Sequence, residues 1–353
     1  MNAPFPLANE SVSLVDLRDP SEIARIEGYV AEMGGSIFQR PAWLKAVETG
    51  TGQKAIGLAA QQGGMITGWL PLNDVHSPIF GRALVSSGFA VDGGPLAASE
   101  TTVRRLCRAA AELALRQSAT TIELRGGKAP DDWHQSTNSH CGFVGDLAED
   151  DEAQLLTIPR KQRAEVRKSL KLDIEVSVGR SAQHRGQHYD VYAQSVRNLG
   201  TPVFPKSLFD AMLGTFEDSD ILTVSHQGQP VASVLSFYHR GAVMPYWGGG
   251  LFAARKLRAN ERMYFELMLH ARNKGMERFD FGRSKTGSGP YNYKKNWGFE
   301  PQPLSYASWT APGCDARDIN PNSDAYSAKI ELWKRLPLSV ANRIGPFIAK
   351  GLA

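Results

Sequence analysis

Cysteine is scarce. Cys107, Cys141 and Cys314 are the only three in 353 residues, and none forms a C-x-x-C pair. That excludes a disulfide framework and a thiolate zinc site, and it fits a reducing compartment. Long apolar runs are missing too: nothing approaches the ~18 residues a spanning helix needs, and MNAPFPLANESVSL has neither a basic start nor an apolar stretch. A soluble cytoplasmic protein is therefore expected. No G-x-S-x-G elbow is present, which removes the usual cue for a serine hydrolase. Gly282 and Gly287 have P-loop spacing, but Ser288-Gly289 stands where Lys-Ser/Thr is required. His184 and His188 stand i,i+4 with no third ligand, and His134, His140 and Cys141 fall in a polar loop, so no metal site is expected. A net charge of +4 is modest, and DNA is not an expected partner.

What remains is an ordinary globular composition, 42% hydrophobic and 22% charged, in a chain long enough for two domains. Asp19-Pro20-Ser21 opens a helix to about Met33, and Pro41 opens a second. Ala55 to Gln61 and Met65 to Val75 read as a hairpin around Gln62-Gly63-Gly64. A helix from Thr101 to Gln117 leads into a strand from Thr120 to Leu124. The second half repeats this grammar. Its helices are His184 to Val196 and Lys206 to Phe216, and its hairpin is Ile221 to His226 with Val231 to Tyr238. A long helix from Leu257 to Lys274 then precedes a strand from Arg278 to Phe281. The hairpin glycines Gly63 and Gly228 are 165 positions apart and the strand-end glycines Gly126 and Gly282 are 156 apart, which argues for a duplicated α/β fold. The divisions expected are 1–150, 151–312 and a helical tail, 313–353.

Four segments can carry chemistry. Thr157 to Lys171 reads as a helix with Pro159 in its first turn, and Arg160, Lys161, Arg163, Arg167, Lys168 and Lys171 share one broad face. This is either an anion site or a solvated interdomain face. Asn198-Leu-Gly-Thr201-Pro-Val-Phe-Pro205 is a loop between helices, a place for substrate contact or a plain turn. Met244-Pro-Tyr246-Trp247-Gly248-Gly-Gly250 ends a strand and then drops its side chains, exposing backbone to an acyl group or forming a bulge. The densest segment runs from Phe281 to Pro301. It holds Arg283, Ser284, Lys285, Lys294 and Lys295 with Tyr291, Tyr293, Trp297 and Phe299.

Taken in order, the basic helix, Gly-Thr-Pro-Val-Phe-Pro, Tyr-Trp-Gly-Gly-Gly and Gly-Arg-Ser-Lys…Tyr-Lys-Lys-Asn-Trp-Gly-Phe-Glu-Pro-Gln-Pro-Leu resemble the FemAB-like proteins. The closest likeness is to the branch found beside PEP-CTERM/exosortase and exopolysaccharide systems. The resemblance implies two tandem GNAT-like domains, each a mixed sheet flanked by helices. It also implies transfer of an acyl or aminoacyl group to an amine of an envelope, peptidoglycan or exopolysaccharide precursor. The best-known members take that group from aminoacyl-tRNA. An aromatic-lysine pair on the final strand, here Tyr293-Lys294, is implied as the reaction centre.

Amine attack on an ester or thioester passes through an oxyanion, which Lys294 would stabilise. If the segment is extended, Lys294 and Lys295 point to opposite faces. Tyr246 or Tyr291 would relay the amine's proton, and Arg283 with the basic helix would hold phosphates. One rival is a CoA-dependent acetyltransferase, disfavoured because Arg255-Lys-Leu-Arg-Ala-Asn260 lacks the glycines of a pyrophosphate loop. No other cofactor is expected. The other rival is a non-catalytic module binding an envelope precursor. At the tail, Ser323 to Arg335 and Leu338 to Ile344 read as helices parted by Pro337. Trp333, Leu336, Val340, Ile344 and Phe347 lie there beside Lys329, Lys334, Arg335, Arg343 and Lys350. Docking on the protein body is expected over peripheral membrane contact, since interrupted helices anchor poorly.

Overall fold

A computed structural model describes residues 9–315 and 324–352, with side chains from 330 onward in the second stretch. Ser323 and the Lys329 side chain of the expected tail helix lie outside the described residues. The chain opens with β1 (Ser11–Leu14), α1 (Pro20–Glu32), α2 (Pro41–Thr51), β2 (Lys54–Gln62), β3 (Met65–Ser77) and β4 (Gly81–Val85). It continues through β5 (Leu96–Ala97), α3 (Glu100–Arg116), β6 (Thr121–Arg125) and β7 (His134–Ser136). Next come β8 (His140–Gly142), β9 (Val144–Asp146), α4 (Asp151–Thr157), α5 (Arg160–Ser169), β10 (Glu175–Gly179), α6 (Ala182–Asn198) and α7 (Lys206–Thr215). The hairpin and its sequel are β11 (Ser219–His226), β12 (Gln229–His239), β13 (Ala242–Gly250), α8 (Phe252–Leu257), α9 (Ala259–Asn273) and β14 (Arg278–Asp280). The chain closes with β15 (Ser284–Lys285), α10 (Gly289–Asn296), β16 (Gln302–Pro303), β17 (Tyr306–Thr310), α11 (Asp324–Arg335) and α12 (Leu338–Ala349).

Two compact units form, and they interleave in sequence: Met1–Thr137, Ser305–Ile319 and Lys350–Ala353 make one, Asn138–Leu304 and Asn320–Ala349 the other. The first holds an eight-stranded sheet ordered β1-β2-β3-β4-β6-β17-β7, with β5 on β3. The second holds a six-stranded sheet ordered β10-β11-β12-β13-β14-β9 and a small sheet, β15-β8-β16. In each large sheet an antiparallel meander ends in one parallel pair, β4 with β6 and β13 with β14. The duplication reaches single residues. Gly63-Gly64 and Gln227-Gly228 both take positive φ at both positions of a two-residue turn, the conformation that matches strand twist. A bulge follows at the same place in each hairpin, between Ala60 and Gln61 and between Val224 and Ser225.

Several expectations change. The basic segment is a helix only from Arg160, with Pro159 as its cap residue and α4 separate before it. The long helix breaks at Arg258, whose φ of 51° ends α8 and starts α9. The polar loop around His134 to Cys141 supplies β7, which pairs with β17, and β8, where buried Cys141 pairs with β15 on one side and β16 on the other. Most important, Gly289 to Asn296 is helical, not extended. Ser288 caps it by accepting from the Tyr291 amide at 3.3 Å, and Pro290 sits in the first turn, where its missing N–H costs nothing.

Candidate functional site

The strands of the second unit part where its signature segment begins. β13 and β14 pair only at Ala242–Arg278 and Val243–Phe279, after which β13 follows β12 to Gly250 while β14 follows β9. A V opens between two parallel strands at their C-terminal ends. In the first unit the matching V is closed by its own chain. Gly94 N–H donates to Arg125 O at 2.8 Å, the Arg125 guanidinium donates to Ala90 O at 3.1 Å, and the Arg125 amide donates to Ser86 Oγ at 2.8 Å. Only the second unit leaves that position to be shaped by residues outside the sheet.

A tight turn leaves β14. Asp280 accepts from the Gly282 amide at 2.9 Å, and Gly282 takes φ of 69°, a conformation that favours glycine. The turn presents two carbonyls to α10, and the Lys294 Nζ donates to both, Gly282 O at 3.1 Å and Arg283 O at 2.9 Å. The same ammonium lies 5.4 Å from the ring centres of Phe143 and Phe281. Burial pushes Lys294 down to about 8, Asp280 opposing and Arg283 assisting. Two carbonyls and two aromatic faces favour the charged form, so the group is a cation at neutral pH.

Because the segment is helical, its neighbours do not alternate across a strand. Tyr293 turns inward against Tyr264, Phe281 and Trp297, at ring distances of 6.0, 6.4 and 6.4 Å, and burial raises its hydroxyl well above the usual range. The Lys295 ammonium lies 5.7 Å from the ring of Tyr291, which packs edge-on against Phe143 at 5.5 Å. Thus Lys294, Arg283 and Tyr291 gather at one place, with Tyr293 as an aromatic anchor behind them. Ser284 and Lys285 form β15 and pair with Cys141 and His140, Ser284 buried and Lys285 exposed. Sequence reasoning missed Asp280 and Phe143. The only cue to Phe143 was a lone aromatic after the Cys141-Gly142 pair.

Tyr246 to Gly248 belong to a second group. Tyr246 is the extra residue of a bulge, since Trp247 pairs with Leu235 while Pro245 pairs with Ser236. Trp247 is buried against Phe209 at 5.1 Å, Phe237 at 6.0 Å and Phe204 at 6.4 Å. The run closes β13 at Gly250, and along one edge its glycines stay in the ladder: Gly248 to Gly250 pair with Val234 to Ala232 in β12. They are there for close packing. A Cβ at Gly249 would lie 2.6 Å from Ser195 Cβ on α6. The Asn198–Pro205 loop reaches Trp247 through Phe204: Asn198 ends α6, exposed Thr201 returns its amide to Val196 O, and Val203 lies under Gly345 of α12.

Arg160, Arg163 and Arg167 fall at spacings of three and four on α5, and Lys171, in the turn just past its end, follows at four, continuing the stripe. With Lys168 they line a shallow cavity of about 420 Å³. Lys161 lies about 100° round the helix, off this stripe. Glu165 is already engaged by Lys168 at 2.5 Å and Arg258 at 2.6 Å, so it does not neutralise the stripe. The start of α5 meets the end of α10, where a Cβ at Gly298 would lie 3.1 Å from Pro159 Cδ. The helix carrying Lys294 and the cationic stripe are therefore neighbours. A His–Asp pair exists, but elsewhere. His270 Nε2 lies 2.9 Å from Asp220 Oδ2, and Tyr238 donates to Oδ1 at 2.7 Å, at the start of β11 and the last turn of α9. His184 meets Ser181 at 2.7 Å and His188 meets Ser233 at 3.1 Å, so the two imidazoles serve different contacts.

Residues 160–295 match the family described as the Acetyltransferase (GNAT) domain, a span from α5 to the end of α10 that includes Lys294. Among solved structures, FemX superposes with a TM-score of 0.61 at 14% identity, covering 82% of this chain and 96% of that one. A tandem GNAT protein from the clavulanic acid biosynthesis pathway superposes at 0.58 and 13% identity, covering 87% and 100%. The fold is that of tandem GNAT proteins. A third structure, the C-terminal domain of a protein described as a lysylphosphatidylglycerol synthetase from Agrobacterium fabrum, gives 0.54 at 13% identity, covering 82% and 92%. No curated protein matches the chain in sequence. Among the described residues no helix is long and apolar enough to cross a membrane.

Proposed function

We propose that this protein is an N-acyl or aminoacyl transferase of the FemAB-like type, acting on an amine of an envelope or exopolysaccharide precursor. The observation that carries the reading is the Lys294 ammonium, half-buried yet charged, beside the turn that leaves β14. Two of its three N–H donors hold the Gly282 and Arg283 carbonyls. The third is available for an oxyanion. A cation held by fixed backbone needs no reorganisation as charge develops on the substrate, and that is the condition for lowering the barrier rather than only binding the ground state.

The donor's phosphates would lie along Arg160, Arg163, Arg167 and Lys171, whose helix begins beside the end of α10. A stripe of this length, about 16 Å at 1.5 Å per residue, suits a polyanionic donor such as aminoacyl-tRNA. CoA fits less well. The stretch from Arg255 to Asn260 is filled by the end of α8, Arg258 and the first turn of α9, and Glu261 puts an acid in that turn, where a pyrophosphate would need positive potential. Among the described residues no His–Asp pair borders Lys294, so the amine would lose its proton to the substrate itself, with Tyr291, which shares Phe143 with Lys294, to relay it.

A donor panel tests this. The protein is offered a charged-tRNA pool or acetyl-CoA, with a UDP-linked muramoyl pentapeptide as amine acceptor, and labelled product is counted. Transfer from charged tRNA that falls about a hundredfold in Lys294→Met supports the reading. Saturable use of acetyl-CoA at micromolar concentration, with none of charged tRNA, replaces it by a CoA-dependent acetyltransferase, the reading the domain family match would favour.

A further inference from the structure

The last helix docks on the second unit inside out. α12 packs against α6 with Ala341, Gly345 and Ala349 buried, and the glycine allows the loop after α6 an approach so close that a Cβ there would sit 3.1 Å from the Val203 amide. Its larger apolar side chains face the other way: Val340 is 41%, Ile344 40% and Phe347 68% exposed. At spacings of four and three these form one stripe along the outer face, with exposed Arg343 at its edge. A helix docked only to complete the fold would bury Ile and Phe and expose the small residues, since buried apolar area is what stabilises docking.

We propose that this face of α12 is a docking surface for an anionic lipid bilayer, lying flat at its interface. The charge pattern selects that occupant. From Leu332 to the last residue the sequence has four cations, Lys334, Arg335, Arg343 and Lys350, and no acid. Of these Lys334 bonds Glu331 at 2.6 Å, and that glutamate is the last acid of the chain. A cationic apolar stripe complements anionic headgroups above an acyl layer. It does not complement a second copy of itself, because a twofold contact would set Arg343 against the same basic rim of its partner. Leu332 on α11 is a further exposed apolar side chain, 66%. Docking on the body and contact with a membrane are thus compatible: the small-residue face makes the first and the large-residue face the second.

Vesicle flotation of the full chain tests the surface. Wild type is compared on phosphatidylcholine vesicles and on vesicles with added phosphatidylglycerol, next to Ile344→Ser/Phe347→Ser and Arg343→Gln. The expected result is binding to the anionic vesicles that weakens about tenfold or more in the double variant and less in Arg343→Gln, as expected for a short interfacial helix. Melting curves check folding. Should the double variant melt early, Phe347→Ser alone, at an exposed position, carries the comparison. Absence of wild-type flotation on anionic vesicles overturns the proposal, as does undiminished flotation of a folded variant. A concentration-dependent dimer of wild type that Phe347→Ser abolishes overturns it too, by assigning the stripe to a second copy.

Discussion

Lys294 gives a sharp test that needs no substrate. In the unfolded chain its ammonium titrates near 10.5, and in the folded protein burial brings it to about 8. Between those values the unfolded state binds more protons, so stability rises with pH. Put as a cost, the charged lysine destabilises the fold by a full increment below pH 8. That increment is relieved as pH climbs from about 8 towards 10.5. At about 1.36 kcal/mol per pH unit it amounts to about 3 kcal/mol. The neutral amine still has two N–H donors for the Gly282 and Arg283 carbonyls, so its deprotonation need not break the turn. Lys294→Met removes both the titration and those bonds, at a pH-independent loss of about 1–3 kcal/mol. Other lysines cancel in the difference between the two proteins. Near-UV circular dichroism melts from about pH 7 to about pH 10 should show wild type gaining on Lys294→Met as pH rises. The gain should be several degrees in all, at ~2–4 °C per kcal/mol. A difference that stays flat across that range would mean that Lys294 is not a desolvated cation, and the oxyanion argument would fall with it.

Lys295→Ala, whose ammonium faces solvent near Tyr291, should keep turnover within a few-fold of wild type in the transfer assay where Lys294→Met is expected to lose about a hundredfold. Gly249→Ala should cost about 1–3 kcal/mol in urea melts because its methyl meets Ser195, and Ser195→Gly should restore most of it. Neutralising Arg163 and Arg167 together should weaken tRNA binding uniformly across sequences and lower the salt slope by about two, read by filter binding. Burial raises the Asp220 carboxyl, but bonds from His270 and Tyr238 outweigh it and hold the group below its ordinary value. Its stabilising share is therefore present above about pH 4 and lost as pH falls through the lowered value. Asp220→Asn should flatten that part of the acid limb in pH-dependent melts.

Much of the architecture was legible because it is written in local chemistry. Pro20 and Pro41 open helices, Gly63-Gly64 and Gln227-Gly228 close hairpins, and these signals act within a few residues of themselves. Their recurrence in both halves exposed the duplication. The helix at Gly289 to Asn296 was just as local, with Ser288 and Pro290 marking its start. It was misread because an expected strand position outweighed the cap.

The sequence by itself determined the repeated order of elements, the cationic stripe of α5 and the gathering of glycine, basic and aromatic residues from Phe281 to Pro301, since each is written in local composition and spacing. Only the tertiary structure decided which lysine is held by backbone carbonyls. Tyr293 and Lys294 are neighbours in sequence, but about 100° apart on a helix, and packing sends one ring into an aromatic core and the other's ammonium onto two carbonyls. It also decided that Gly249 admits the close approach of α6, and that α12 buries its small residues and leaves Ile344 and Phe347 outside. Those outcomes depend on what lies across from each side chain, and contacts between residues far apart in sequence are set by the closing of the fold, not by any local propensity.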